Sequence, residues 1–87
     1  MSYLLIHHKV QNFDTWKKAY DDHRGARDQA GLAELHLLRS VADRNDVVIL
    51  FKADDLERAR AFVRSDDLRK AMQGAGVVGV PELLELE

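Results

Sequence analysis

Val47-Val48-Ile49-Leu50-Phe51-Lys52-Ala53 decides the fold. It has the densest β-branched and aromatic content in the chain, which favours a pleated, extended backbone over a helix. Successive side chains of a strand point to opposite faces. Val47, Ile49 and Phe51 therefore share one side, and Val48 and Leu50 share the other. Both sides are apolar, whereas a sheet with one wet face alternates apolar and polar residues. This strand is predicted to be covered on both faces.

Just upstream, Ala42-Asp43-Arg44-Asn45-Asp46 is a turn cluster, and Leu32 to Val41 reads as another strand. The short connection makes the two an antiparallel hairpin. Gly31 is placed to stop a preceding helix as its C′ residue. That helix is predicted from Phe13 to about Ala30, capped by Asn12, with Asp14 at the positive end of its dipole. Gly25 weakens it by about 1 kcal/mol relative to Ala and marks a site for a kink or a close backbone contact. Before the helix, Tyr3 to Val10 reads as a strand with Leu4, Ile6, His8 and Val10 on one face and Tyr3, Leu5, His7 and Lys9 on the other.

Downstream, Asp54-Asp55-Leu56-Glu57 opens a helix with Asp54 as the expected cap and Glu57 in the capping-box position. Leu56, Ala59, Phe62 and Val63 form its inward face. Ser65, followed by Asp66 and Asp67, reads as a second cap, so the helix breaks there and restarts with Leu68, Ala71, Met72 and Ala75 as its stripe. Gly74, Gly76 and Gly79 end the helical region. Pro81 starts a last strand to Glu87, with Leu84 and Leu86 opposite Leu83 and Glu85.

The order strand, helix, strand, strand, helix, strand, joined by right-handed crossovers, gives an α+β ferredoxin-like βαββαβ plait: a four-stranded antiparallel sheet with both helical segments on one face. The second apolar face then needs its own cover. A second copy of the same sheet is the simplest, which predicts a face-to-face homodimer.

Composition bounds the rest. Eighty-seven residues give a single domain, 1–87, with a small core. The net charge of −2 comes from signs mixed along the chain, with no basic patch for nucleic acid and no acidic tail. The absence of cysteine removes disulfides, thiolate nucleophiles and Cys-based metal sites, and fits a reducing cytoplasm. Met-Ser-Tyr-Leu-Leu-Ile-His-His lacks a basic leader and its apolar run is too short to span a membrane, so no membrane association is expected and the location expected is cytoplasmic.

His8-Lys9-Val10, Asn12-Phe13, Trp16, Tyr20, His23, Arg27 and Gly31 form a pattern that continues through Leu38-Arg39, Asp43 to Leu50, Asp54-Asp55-Leu56, and Leu68-Arg69 through Met72 to Gly76-Val77. It resembles the dimeric α/β-barrel superfamily, and within it small proteins related to antibiotic-biosynthesis monooxygenases and often grouped as cyclases. The resemblance covers nearly the whole chain and implies a barrel formed by two ferredoxin-like subunits. The superfamily includes cofactor-free oxygenases, haem-degrading enzymes, isomerases and dehalogenating proteins, so the fold alone does not fix the activity. The Asn-Trp-His set of the haem-degrading branch finds no match here.

At about 100° per residue, Trp16, Tyr20, His23 and Arg27 fall within a stripe roughly 60° wide on the first helix. Packed over the His8 face of the first strand, they would line a cavity with aromatic walls and a few convergent polar groups, the kind of site a small aromatic ligand needs. His23 or His8 would remove a phenol or enol proton, and Arg27 would hold the anion. Phe51, Met72 and Arg39 join Trp16 and Tyr20 as expected substrate contacts. The resemblance then implies a cofactor-independent monooxygenase or cyclase acting on an aromatic or polyketide-like compound. The competing reading makes Trp16 and Tyr20 core, binds His23 to backbone and pairs Arg27 with a carboxylate such as Glu34. The protein would then be a non-catalytic ligand-binding or structural homodimer module.

The remaining motifs read more simply. His7 and His8 point to opposite faces and make a poor metal pair. A metal would need His8 with His23, with His36 as an optional third ligand, and no metal or other cofactor is expected. Gly74-Ala75-Gly76-Val77-Val78-Gly79 matches G-x-G-x-x-G but follows a helix and precedes a strand, the reverse of the dinucleotide-binding context. His36 and Arg39 should face opposite sides of their strand, with Arg39 in an ion pair or reaching the cavity.

Overall fold

A computed structural model describes residues Ser2–Glu87. Four strands form one antiparallel sheet: β1 (Ser2–Val10), β2 (Leu32–Arg39), β3 (Asp46–Ala53) and β4 (Val77–Leu86). Their order is β2-β3-β1-β4. Four short helices fill the two crossovers: α1 (Phe13–Asp22), α2 (Arg24–Gln29), α3 (Leu56–Val63) and α4 (Asp66–Gly74). This is the predicted ferredoxin-like α+β plait.

The register shows why the alternation in Val47–Ala53 is decisive. β1 pairs with β3 through Leu4↔Phe51, Ile6↔Ile49 and His8↔Val47, so these six side chains share one face. That face is the core: Leu4, Ile6, Val47, Ile49 and Phe51 are buried, joined by Trp16, Ala59 and Ala75 from the helices. Fully burying each large apolar side chain contributes about 1.5–3 kcal/mol. The opposite face carries Leu38, Val48, Leu50, Leu84 and Leu86, which pair across the strands in the same way. Of these, Leu38, Leu84 and Leu86 are exposed in the single chain.

The first helix is broken in two. Asn12 caps α1 as expected, accepting from the Thr15 N–H at 3.0 Å. The helix then stops at His23 (φ −90°, ψ 7°), one residue before α2 begins. Gly25 follows in the first turn of α2, where a poor helix former weakens continuation. A Cβ there would meet nothing within 4 Å, so the glycine makes no close backbone approach. Gly31 takes the left-handed conformation (φ +75°) that ends the helical region.

Three boundaries depart from expectation with a local cause. β2 stops at Arg39, because Ser40 already turns its N–H to the Asp46 carbonyl. The cap of α3 is Asp55, whose side chain accepts from Glu57 and Arg58. Asp54 lies just past β3, its N–H bonded to the Gly31 carbonyl at 2.9 Å. Glu57 therefore serves no capping box and pairs with Arg60 at 2.7 Å. Finally, β4 begins at Val77, before Pro81, because Val77 and Val78 pair with Val10 and Lys9. The register then shifts opposite His7/Lys9, near Gly79 (φ +74°) and Pro81. β4 is an edge strand, where a proline lacking its N–H is tolerated. The predicted second break is present: Ser65 caps α4 by accepting from the Leu68 N–H at 3.1 Å.

Candidate functional site

The chamber lies between the core face of the sheet and the helices. Ile6, His8, Ile49 and Phe51 form its floor. Trp16, Ala19, Tyr20, His23 and Arg27 come from the first crossover, and Phe62, Leu68, Ala71, Met72 and Ala75 from the second. Its volume is about 60 Å³. That is room for several waters, but well below the several hundred Å³ typical of sites for drug-sized ligands. Of the residues expected from sequence, His8, His23, Arg27, Trp16, Tyr20, Phe51 and Met72 all line it.

Arg39 does not. Its guanidinium lies 3.7 Å from the Phe13 ring centroid, and its Nε donates to the Arg44 carbonyl at 2.8 Å. Phe13 tilts against Trp16, Trp16 stacks on Tyr20 at 4.8 Å, and Arg27 covers the Tyr20 ring at 3.6 Å. A row of three aromatic rings is thus closed by a cation at each end. Each contact with a π face is favourable, so the row fixes the rotamers of the chamber wall.

The polar groups differ sharply from one another. His8 is 6% exposed, and its Nδ1 is buried with no hydrogen-bond partner. Its ring meets the edge of Trp16 at 5.5 Å. Burial holds its pKa below the ordinary histidine value. Its own backbone and Asp46 act in the other direction, and His7 adds to the lowering. Neutral imidazole is therefore the form present near pH 7.

Arg27 is also buried. It donates to the Tyr20 carbonyl at 2.7 Å and makes no ion pair among the described residues. Glu34, the carboxylate expected for it, instead accepts from the Tyr20 hydroxyl at 2.8 Å. Burial first, and this bond second, raise the Tyr20 pKa far above that of a free phenol, so Tyr20 stays protonated. His23 sits at the rim, with Nε2 3.2 Å from Asp67 and its ring stacked on Phe62. It binds a carboxylate, where the competing sequence reading had a backbone group.

Asp67 is the partner that sequence reasoning missed, and Glu34 serves Tyr20 where Arg27 was expected. Asp67 carries an N-terminal-turn signal that hides its second role, and no local pattern marks Glu34. His7 lies on the other face, its Nε2 2.6 Å from Asp46. His36 pairs with Leu50 and shares that open face, away from His8. His36 is therefore separated from His8 and His23, and among the described residues no group of three His, Asp or Glu converges for a metal. No helix among the described residues is long and apolar enough to cross a membrane.

No protein-family model matches the chain, and no curated protein does. Solved structures match over almost its whole length. A Bordetella bronchiseptica protein assigned as an antibiotic biosynthesis monooxygenase is 14% identical with a TM-score of 0.78, covering 99% of this chain and 94% of that one. A Nitrosomonas europaea protein of the same assignment is 14% identical with a TM-score of 0.70, covering 100% and 97%. SnoaB, a cofactor-independent oxygenase from Streptomyces nogalater, is 13% identical with a TM-score of 0.71, covering 95% and 89%. The structural neighbours are thus antibiotic biosynthesis monooxygenase-like proteins, the group the sequence pattern resembles. At these identities the shared property is the fold.

Proposed function

We propose that the chain is a homodimeric, cofactor-independent oxygenase that takes a proton from a phenol- or enol-bearing aromatic compound and lets the resulting carbanion react with dioxygen. The observation that carries this reading is His8, buried in the chamber wall with Nδ1 unpartnered, in a chamber also lined by a buried Arg27 that makes no ion pair among the described residues. A histidine kept only for packing is ordinarily hydrogen-bonded. Here a neutral base and an uncompensated cation face one aromatic space, which is the electrostatic requirement for making and holding an organic anion.

In this reading His8 accepts the proton. A free phenol has a pKa of about 10, so transfer to a histidine held below its usual value is uphill. Arg27 and the desolvated site must lower the anion's energy, which makes Arg27 as necessary as the base. Dioxygen then adds to the carbanion carbon, and the proton returned from His8 completes a hydroperoxide. Loss of water leaves a ketone, so a CH₂ group and O₂ become C=O and H₂O. The same base and anion holder would serve a cyclase, but the fold shared with SnoaB supports the oxygenase class. His23, tied to Asp67 at the rim, is better suited to gating entry than to acting as the base. The open sheet face is covered by a second copy.

Oxygen uptake with a panel of anthrones, quinols and enols tests the reaction. Substrate-dependent uptake that falls about 10²-fold or more in His8→Asn and persists in His23→Ala supports it. Binding without uptake or anaerobic turnover makes the protein a ligand-binding module.

A further inference from the structure

A second apolar space adjoins the chamber. It has a volume of about 300 Å³, lies between the α3–α4 break and β4, and shares Ile6, Leu68 and Met72 with the chamber. Those three side chains are the partition between the two. Met72 is half-buried, and an unbranched thioether with three rotatable bonds swings aside without backbone movement. The chamber alone, at about 60 Å³, is too small for most aromatic substrates. A ligand whose reacting ring fills it has to extend, and the space beyond Met72 is five times larger in the same measure.

The mouth of the outer space is electrostatically lopsided. Arg64 and Arg69 line it with Asp66. Asp66 is already paired with Arg69 at 3.0 Å. Glu85, the other carboxylate whose charge acts near Arg64, is held by a fork from Arg60 at 2.7–3.0 Å, a bond that pulls its pKa below the ordinary carboxylate value. Arg64 itself is exposed and forms no ion pair among the described residues. An uncommitted guanidinium at the end of an apolar passage recognises a carboxylate by its planar fork.

We propose that the site is bipartite: the His8–Arg27 chamber takes the reacting ring, and the space beyond Met72 takes an apolar arm ending in a carboxylate held by Arg64. This rests on the reading of the inner chamber as a ligand site and specifies its substrate class, a ring compound carrying an acid-terminated side chain.

The test compares 5-(4-hydroxyphenyl)pentanoate, its primary amide and 4-ethylphenol by titration calorimetry. The indole resonance of Trp16, the sole tryptophan and a chamber wall, reports where each compound sits. The acid is expected to bind about tenfold or more tightly than the amide, the scale of one charge-assisted hydrogen bond. Arg64→Gln should erase that preference and leave 4-ethylphenol binding unchanged. Equal affinity for acid and amide, or a preference that survives Arg64→Gln, overturns the bipartite site. If 4-ethylphenol still shifts Trp16 in that case, the chamber stands and only the outer subsite fails. If no compound shifts Trp16, the chamber reading fails and the outer subsite falls with it.

Discussion

His7 and His8 are neighbours in sequence and live in opposite environments. His7 points to the open face, is partly exposed and holds Asp46 at 2.6 Å, with Glu82 3.7 Å from its other nitrogen. His8 points to the helix-covered face, is buried and has an unpartnered nitrogen. The same division runs along β3, where Ile49 is 2% exposed and Leu50, next to it, is half-buried in the single chain. A one-residue step across a sheet changes dielectric, partners and role together. The helix face is organised around a small chamber, and the open face leaves Leu38, Leu84 and Leu86 uncovered in the single chain.

The largest effect that can break this comparison is on turnover. His8→Asn should lower oxygen uptake by about 10²-fold or more, while His7→Asn should leave it near the wild-type rate under conditions that keep the proposed dimer assembled. Equal losses in the two variants would mean that the helix face has no privileged chemistry.

Packing gives the next effect. Ile49→Ala should destabilise by about 2–5 kcal/mol, the range for truncating a buried aliphatic side chain, at any protein concentration in a denaturant melt. Leu50→Ala should show a loss that depends on protein concentration, because in the proposed dimer a partner copy would complete its burial. Charge placed on the open face sharpens this further. Leu38→Glu should halve the mass measured by light scattering without unfolding the chain, since Leu38 is more than half exposed in one subunit. A wild-type monomer at micromolar concentration would remove the need for a covered second face.

A smaller effect is the pH dependence of stability. The folded pKa of His8 lies below its unfolded value, so the unfolded chain binds the proton more readily and stability falls as pH drops from about 6.5. The His8 contribution is fully present above that value. Thermal melts between pH 8 and 5 should show a shallower acid loss in His8→Phe than in the wild type.

Much of this organisation is legible in the sequence because it rests on short-range rules. The period-two pattern of Val47–Ala53 sets the faces, and Asn12 and Ser65 cap helices through bonds only three residues long. The stripe from Trp16 to Arg27 survives the break at His23, since all four of its side chains still line the chamber. What stayed hidden depends on distant partners. Asp54 and Asp55 are equally good caps locally, and the choice is made by the Gly31 carbonyl. Glu34 could serve Arg27 or Tyr20, and only the packing of β2 against α1 and α2 assigns it to Tyr20. Arg39 looked free to reach the cavity, but Phe13 captures it first. The start of β4 was masked by glycines that read as loop, although Val77 pairs with Val10 at the far end of β1.

The central claim is that adjacent histidines are split into a neutral, buried base and a partly exposed ring bound to Asp46. The most direct measurement is a titration of both imidazoles by ¹⁵N-resolved NMR on the full chain, assigned with His7→Asn and His8→Asn. The account predicts that His8 stays neutral through pH 6.5 and protonates only below it, and that its resonances shift when a phenolic ligand enters the chamber. A His8 that titrates at or above 6.5 and ignores such ligands would contradict it.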